Sequence, residues 1–169
     1  NKRLAKEKSL LKIRHGKDWS RKLYVITFKR FQRIKTYMHN TSHYIVNWCI
    51  ENNIDTLVVG KNDEWKQESA MCKKSNQNFI MIPYQMLLQQ LKYKCENVGI
   101  KYIEHEESYT SGTSFLDEEE PIKQNYDKSR RIQRGLFKSE TGLLINSDVN
   151  GSLQIMKKVF PNAISRYGI

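Results

Sequence analysis

Carboxylates that follow apolar, strand-like runs are the residues of this sequence best suited to chemistry. Asp148 comes shortly after the apolar run 143–145, and Glu106 and Glu107 follow the run 100–104. Carboxylate oxygens are ligands that Mg²⁺ prefers. In a basic chain they indicate metal-assisted cleavage of a phosphodiester. A plainer interpretation stays open, in which Asp148 caps the following helix and the two glutamates are solvated loop charges.

The charge balance indicates a polyanionic partner. The 169 residues include 29 Lys and Arg against 18 Asp and Glu, a formal net charge of +11. This surplus is typical of nucleic-acid-binding proteins, although membrane surfaces attract such chains too. No run approaches the roughly 18 apolar residues of a membrane-spanning helix, and the charged start leads into no signal peptide. We therefore expect a soluble, cytoplasmic protein without a membrane partner.

Other common chemistries lack their motifs. The cysteines Cys49, Cys72 and Cys95 are odd in number and widely spaced, so they support neither a disulfide framework nor a zinc ribbon. The sequence contains no P-loop, no nucleophile-elbow serine motif and no metalloprotease helix motif. Phosphodiester chemistry therefore stays the leading hypothesis.

A long amphipathic helix is predicted ahead of the carboxylates, after a first helix from 1 to about 16. It runs from about Ser20 to Asn53, with basic residues and tyrosines on one face. That basic face favours nucleic-acid binding, with simple solvation as the alternative. Its apolar seam is predicted from residues three and four apart: Phe31, Ile34, Met38, Thr41, Ile45 and Trp48.

Strands and a crossover helix are predicted to position Glu106 and Glu107. A strand at 56–60, buried on both faces, precedes a helix from Pro83 to Gly99 and a strand at 100–104. Such strands pair in parallel through a right-handed crossover, and open α/β sheets place their sites after the strands. A hairpin around Thr141 and Gly142 then delivers Asp148 to the helix at 152–159. One α/β domain over residues 1–169 accounts for the whole pattern.

Lysines and arginines form the candidate contacts to nucleic acid. In the second half of the chain, acidic 117–120 gives way to a basic stretch, which indicates a flexible surface excursion able to approach phosphate. The candidate nucleic-acid contacts are Arg30, Arg33, Lys66, Arg130, Arg131 and Arg134.

Several motifs together resemble one family. WCIENNIDTLVVGKN at 48–62, followed by WKQ at 65–67, resembles the middle RuvC region of TnpB proteins. These are RNA-guided DNA endonucleases of bacterial insertion sequences, related to Fanzor proteins and type V CRISPR effectors. The match extends through NQNF at 76–79, EESYTS at 106–111, RGLF at 134–137 and NSDVNGS at 146–152.

The resemblance implies an α/β, RNase H-like (RuvC) nuclease domain that is incomplete, with its first strands missing and a long N-terminal amphipathic helix. It implies two Mg²⁺ ions, a guide RNA, a DNA target and a bacterial cytoplasm. Asp148 matches the last catalytic, metal-binding aspartate of the family. The usual pattern has a catalytic glutamate just after the 56–59 strand, where this chain has Gly60.

Glu107 is the implied replacement for that glutamate. In one branch of the family, and in Fanzor proteins, a glutamate two residues before the Tyr-Thr-Ser motif takes the role, and Glu107 occupies this position as a second Mg²⁺ ligand. Glu106 is the fallback catalytic residue, since alternate residues of a strand point in opposite directions.

Two further departures from the family pattern limit the implied activity. In the family, the first catalytic aspartate precedes the stretch that residues 1–5 resemble, so this sequence does not contain it. The cysteines of its zinc ribbon are absent from 113–134, so we expect no zinc and a surface insertion there. The chain then resembles the C-terminal part of such a nuclease, which needs the missing N-terminal part of the same protein and is inactive alone. The alternative is a nuclease-dead nucleic-acid-binding module or RNA-guided repressor.

Salt dependence tests the charge argument. We expect the affinity for duplex DNA to fall linearly on a double logarithmic plot against salt, with a slope of about −0.9 for each phosphate neutralised. Fluorescence anisotropy at several salt concentrations measures the slope. A flat response would contradict the assignment of the basic helix face to nucleic acid.

Overall fold

A computed structural model describes residues 2–17, 19–61 and 83–162 as a mixed fold of helices and strands. The chain divides into two compact units. The first comprises residues 1–55 and 68–100, and the second comprises residues 56–67 and 101–169. None of the helices in the described ranges is long and apolar enough to cross a membrane.

Three helices form the described part of the first unit: α1 (Lys2–His15), α2 (Arg21–Glu51) and α3 (Tyr84–Asn97). The predicted long helix is confirmed. It begins after Ser20, whose hydroxyl accepts a hydrogen bond from the Leu23 N–H at 3.1 Å. The end of α3 near Gly99 is also as predicted, because Gly99 takes a positive φ of 77° that favours glycine.

The buried seam of α2 includes Met38 as predicted, but after Met38 it lies one residue later than predicted. The residues buried along its second half are Met38, Ser42, Val46 and Cys49. The predicted seam residues Phe31 and Trp48 are exposed instead. The sequence pattern failed because it passed over Ser42 as a polar residue, whereas this small side chain lies fully buried against α3.

Lys94 of α3 explains the burial of Ser42. Its ammonium group donates hydrogen bonds to the Ser42 hydroxyl at 2.7 Å and to the His39 carbonyl at 2.8 Å. Burial lowers the pKa of Lys94, because the charged form loses hydration that neutral oxygens replace only in part. The packing of α2 on α3 is therefore built around a polar contact as well as an apolar core.

The second unit contains two small sheets. Strands β1 (Thr56–Lys61) and β2 (Lys101–Glu106) pair in parallel as predicted, with Gly60 opposite His105. Strands β3 (Leu136–Lys138) and β4 (Leu144–Asn146) form the predicted hairpin. Helix α4 (Ser147–Val159) follows β4 directly. The expectation that β1 is buried on both faces is wrong, since all six residues stay partly exposed.

The segment 113–134 begins inside the core of the second unit. Thr113, Ser114 and Phe115 are buried, and two short 3₁₀ turns follow at Lys123–Asn125 and Lys128–Arg130. The fully buried Asn150 amide of α4 accepts a hydrogen bond from the Phe115 N–H at 2.9 Å and donates to the Thr113 carbonyl at 2.8 Å. The expected surface insertion is thus bonded at its start to the helix that carries Asp148.

Arg130 joins the acidic and basic halves of this segment. Its guanidinium forms ion pairs with Asp117 and with Glu119, the latter at 2.7 Å, and it lies 5.3 Å from the centre of the buried Phe137 ring. Its side chain is only 13% exposed. Arg130, one of the basic residues of the charge reversal that indicated a flexible excursion, therefore belongs to an internal ion-pair network.

The pKa of Asp117 is consistent with its ion pair to Arg130. Burial alone would raise the pKa of Asp117, but hydrogen bonds from Ser114, Glu140 and Thr141, together with the charge of Arg130, lower it overall. Because the lowered pKa reflects a preference of the folded state for the carboxylate, this stabilisation is present at neutral pH and is lost as the pH falls through the folded-state pKa.

Arg130→Met tests the ion-pair network. The substitution leaves two partly buried carboxylates without their cation, and we expect the free energy of unfolding of the second unit to fall by about 3 kcal/mol at neutral pH. Hydrogen exchange of the β3 and β4 amides measures this loss. The control is Arg131→Met at the exposed neighbouring position, with an expected change below about 0.5 kcal/mol. Equal losses in the two variants would refute the structural role of Arg130.

Candidate active site

Glu107 is the first residue after β2, and backbone hydrogen bonds fix its position. Its N–H donates to the Lys61 carbonyl at 3.2 Å, which extends the pairing of β1 with β2 by one bond. Its carbonyl accepts from the Thr110 hydroxyl at 2.8 Å. Tyr109, inside this turn, has a φ of 63°, an uncommon conformation for an aromatic residue. The turn therefore holds Glu107 at the carboxyl end of the parallel strands.

The side chain of Glu107 occupies the space that a side chain at Gly60 would need. A Cβ built on Gly60 would lie 2.9 Å from the Glu107 Oε2 and 3.3 Å from its Cβ. The same Cβ would lie 2.6 Å from the Cδ1 of Ile155 on α4. Separations under 3 Å are shorter than real Cβ contacts. The missing side chain at residue 60 is thus what admits the Glu107 carboxylate.

The surroundings of Glu107 favour its protonated form. Burial raises the pKa of Glu107, the neighbouring Glu106 charge raises it further, and Lys158 opposes both. Lys158 donates to the carbonyls of Glu106 at 3.2 Å and Ser108 at 2.8 Å, on either side of Glu107. Lys158 therefore holds the backbone around the carboxylate and also supplies a nearby positive charge.

Glu106, the fallback residue, lies in a different environment. It is the last residue of β2, not a loop residue as expected, and its side chain is 65% exposed. Its Oε2 accepts a hydrogen bond from the Ser108 hydroxyl at 2.7 Å. Of the two glutamates, Glu107 is the one whose carboxylate is partly desolvated.

Asp148 lies in the first turn of α4. The interpretation of Asp148 as the helix cap is wrong, and the helix predicted at 152–159 begins earlier, at Ser147. Asn146 is the cap, since its side-chain oxygen accepts hydrogen bonds from the N–H groups of Asp148 at 2.8 Å and Val149 at 3.2 Å. Asp148 itself is exposed. A carboxylate here is favoured by the positive end of the helix dipole.

The two carboxylates belong to one unit but follow different sheets, in contrast to the expectation of a single sheet. Helix α4 gives the position of Asp148 relative to Glu107. Asp148 and Ile155 are seven residues apart on this helix and therefore lie on one face of it. Ile155 is the residue that approaches Gly60 beside Glu107. Two turns of helix separate Asp148 from Ile155 by about 10 Å along the axis. Asp148 thus lies on the same face of α4, toward its N-terminus.

The predicted basic contacts lie in different surroundings. Arg30 and Arg33 line a groove between α1 and α2. Arg131 and Arg134 are exposed in the second unit, and Lys66 lies outside the described residues. Arg130 is the exception, because its guanidinium is engaged in the internal ion pairs with Asp117 and Glu119.

Three polar residues that sequence reasoning missed position the site. They are Asn150, Gln154 and Lys158, which hydrogen-bond from α4 to backbone groups of other segments. The available signal was the presence of polar side chains four residues apart at 150 and 154 on an otherwise amphipathic helix. A local pattern cannot name their partners, which lie at least 35 residues away in the chain.

Comparisons with known proteins connect the chain to Cas12f1. Residues 84–155 match the family model described as Cas12f1-like, TNB domain. No curated protein matches the sequence. Two cryo-EM structures have a similar fold: a Cas12f1–sgRNA–target DNA complex, with a TM-score of 0.65, and a CRISPR-Cas12f ternary complex, with a TM-score of 0.64.

The structural likeness covers 92% of this chain at 20% sequence identity in both cases. At that identity it establishes the fold, which is the fold of part of a Cas12f1 chain. The chain spans 40% of the first matched protein and 31% of the second.

Gly60→Ala tests the contact between Gly60 and Glu107. The added methyl group meets Ile155 and the Glu107 carboxylate, and overpacking of this kind costs about 1–3 kcal/mol. Urea unfolding measures the loss. Ile155→Ala in the same chain removes the atom closest to the new methyl group and should restore part of the stability relative to Ile155→Ala alone. Additive effects of the two substitutions would contradict the contact.

Proposed function

We propose that this chain is the C-terminal, RuvC-like part of an RNA-guided DNA endonuclease of the TnpB and Cas12f type. The match of residues 84–155 to a Cas12f1-like model supports this proposal, as does the fold shared with Cas12f1 chains. The first matched structure is by name a complex with sgRNA and target DNA, and the charge of +11 suits such partners. The proposed reaction is Mg²⁺-dependent hydrolysis of a DNA phosphodiester.

One observation carries the proposal: the Glu107 carboxylate lies next to the position that a side chain at residue 60 would occupy. The family pattern described above has its middle glutamate at the position of Gly60. In this chain the Oε2 of Glu107 lies within 2.9 Å of where the Cβ of that side chain would be. The proposal is supported by this proximity, since Glu107, the residue after the neighbouring strand, brings a carboxylate close to position 60.

The donor chemistry of Glu107 and Asp148 fits Mg²⁺. Within residues 2–17, 19–61 and 83–162, no group of three His, Cys, Asp or Glu side chains could hold a metal ion. Mg²⁺ is commonly held by one or two carboxylates, with water and substrate phosphate as its other ligands. Glu107 and Asp148 are the two carboxylates that would hold it. A bound ion would supply an activated water and stabilise the leaving oxygen.

Lys158 favours the charged form of Glu107 that metal binding requires. A metal ligand must be deprotonated, and the pKa of Glu107 is raised by its burial. Lys158 counteracts this effect with its positive charge and fixes the two carbonyls that flank the residue. The exposed Asp148 carboxylate needs no such help, since it stays accessible to solvent and to phosphate.

The alternative function is a nuclease-dead module that binds nucleic acid without cutting it. It is favoured by the two turns of α4 between Asp148 and Ile155, and by the lack of a three-residue metal cluster in the described ranges. In that case Glu107 and Asp148 do not bind a metal ion together, and the basic surfaces alone bind the nucleic acid.

Mn²⁺ binding to the isolated chain distinguishes the two functions without requiring cleavage. In a ¹⁵N-labelled sample, Mn²⁺ should broaden the amide resonances of residues next to Glu107 and next to Asp148. Glu107→Gln and Asp148→Asn should each weaken this binding by about tenfold or more, because each removes one charged ligand. Binding should also weaken as the pH falls, and at a higher pH than for an ordinary glutamate, since the pKa of Glu107 is raised.

The control is Glu140→Gln, which removes an exposed carboxylate from the hairpin loop and should leave Mn²⁺ binding unchanged. Broadening near only one of the two carboxylates, or none that depends on Glu107, would rule out a shared metal site and support the nuclease-dead module. In a nuclease that contains this chain, the same two substitutions should abolish cleavage and leave nucleic-acid binding within a few fold.

A further inference from the structure

The turn that follows Glu107 is closed by hydroxyl groups and contains one strained residue. Thr110 donates to the Glu107 carbonyl from its N–H at 3.3 Å and from its hydroxyl at 2.8 Å. The Thr113 hydroxyl donates to the Tyr109 carbonyl at 2.9 Å. Tyr109 has a φ of 63°, and a residue with a side chain keeps this conformation only where its surroundings hold it. The turn therefore needs support from outside itself.

Tyr126, from a later part of the chain, contacts this turn. Its ring meets the Tyr109 ring edge to face, with 5.8 Å between the ring centres and 73° between their planes. This geometry is one of the favourable arrangements of two aromatic rings. The hydroxyls of Tyr126 and Ser111 lie 3.5 Å apart. Tyr126 thus supports the strained residue of the turn directly.

The same ring lies against the backbone of Gly112. A Cβ built on Gly112 would lie 2.5 Å from the Cε2 of Tyr126 and 2.6 Å from its Cδ2. The φ of Gly112 is not positive, so its backbone conformation does not demand a glycine. The glycine is instead required for the room that it leaves to the ring.

The backbone around Tyr126 is fixed independently of the ring. The Asp127 N–H donates to the Gly112 carbonyl at 3.0 Å, and the Tyr126 N–H donates to the Lys123 carbonyl at 3.3 Å. Further along the same segment, Arg130 is held by its ion pairs with Asp117 and Glu119. The ring of Tyr126 therefore keeps a fixed position against the turn.

We propose that Tyr126 is a positioning residue for Glu107. By packing on Tyr109 and Gly112, it keeps the turn in the conformation that directs the Glu107 carboxylate to the space beside Gly60. The chain uses two glycines in the same way, since Gly60 leaves room for Glu107 and Gly112 leaves room for the ring that holds the turn. Tyr126 acts on the proposed metal site only through this turn, so the inference rests on the proposed function for its consequence but not for its geometry.

The position of the Glu107 side chain can be measured by NMR without metal. One Hα of Gly60 points toward the built Cβ, so it should give a nuclear Overhauser effect to the Hβ protons of Glu107, whose Cβ is 3.3 Å from that point. In Tyr126→Ala this effect should disappear, and the Glu107 and Thr110 amides should exchange about tenfold faster, because the turn opens locally. The amides of β3 and β4 should exchange as before, which shows that the unit stays folded.

Mn²⁺ binding measures the consequence for the proposed metal site. Residues that orient a metal ligand typically contribute about ten- to hundredfold to the affinity, so Tyr126→Ala should weaken the Mn²⁺-dependent broadening near Glu107 by about tenfold or more. Tyr126→Phe keeps the ring and should retain both the Overhauser effect and the Mn²⁺ affinity of the unmodified chain. A residue needed only for its hydroxyl would not be replaced by phenylalanine in this way.

Asn125→Ala is the matched control at the preceding position. The Asn125 side chain donates to the Glu120 carbonyl at 3.0 Å, so its loss disturbs the same segment without removing a printed contact to the turn. This variant should keep both the Overhauser effect and the Mn²⁺ affinity. Gly112→Ala approaches the contact from the other side: its added methyl group meets the ring and should weaken Mn²⁺ binding, whereas in the Tyr126→Ala background it should cause no further loss.

Several outcomes would overturn the role of Tyr126. They are an Overhauser effect that persists in Tyr126→Ala, one that is lost equally in Asn125→Ala, a failure of Tyr126→Phe to keep it, and a loss of the effect that leaves Mn²⁺ affinity unchanged. If the unmodified chain binds no Mn²⁺ near Glu107, the proposed metal site fails, and the metal-free measurements still decide whether Tyr126 positions the Glu107 side chain.

Discussion

Helix α4 is held in place mainly by hydrogen bonds from its own side chains to the backbone of other segments. Asn150 bonds to 113–115, Gln154 and Lys157 bond to carbonyls at 118–119, and Lys158 bonds to carbonyls on either side of Glu107. Apolar contacts tolerate small rotations of a helix, whereas directional bonds at several levels do not. The rotation of α4 decides where Asp148 and Ile155 lie, so the geometry of the candidate site depends on these bonds.

The basic residues of the two units have different surroundings. The basic stretch that follows 117–120 looked like a binding surface, but Arg130 is engaged with Asp117 and Glu119 inside the second unit. The cations of α1 and α2 outnumber the acids of these two helices. The net positive charge of the chain therefore belongs mainly to the first unit, whereas Glu107 and Asp148 belong to the second.

Features that depend on neighbours in the chain could be predicted from the sequence. The extent of α2, the parallel pairing of β1 with β2 and the hairpin follow from periodicity and from turn residues such as Gly99 and Gly142. The buried position of Ser42 could not be predicted, because it depends on Lys94, 52 residues further along. The internal role of Arg130 was missed for a similar reason, since its partners Glu119 and Asp117 lie 11 and 13 residues away. The cap at Asn146 is local and was missed because Asp148 is an equally suitable cap residue. In the candidate site, family resemblance predicted a role for Glu107, whereas the closeness of its carboxylate to Gly60 depends on the fold.

The exclusion between a side chain at residue 60 and the carboxylate of Glu107 has an evolutionary consequence. A chain with glutamate at both positions would have to move the ends of the Ile155 and Glu107 side chains, so the two arrangements are energetically coupled. The route of least strain between them passes through a small residue at position 60 before the neighbouring strand supplies its carboxylate. With Glu107 in place, a larger residue at position 60 requires the ends of the Ile155 and Glu107 side chains to shift, so the order in which the two positions change affects the cost of each change.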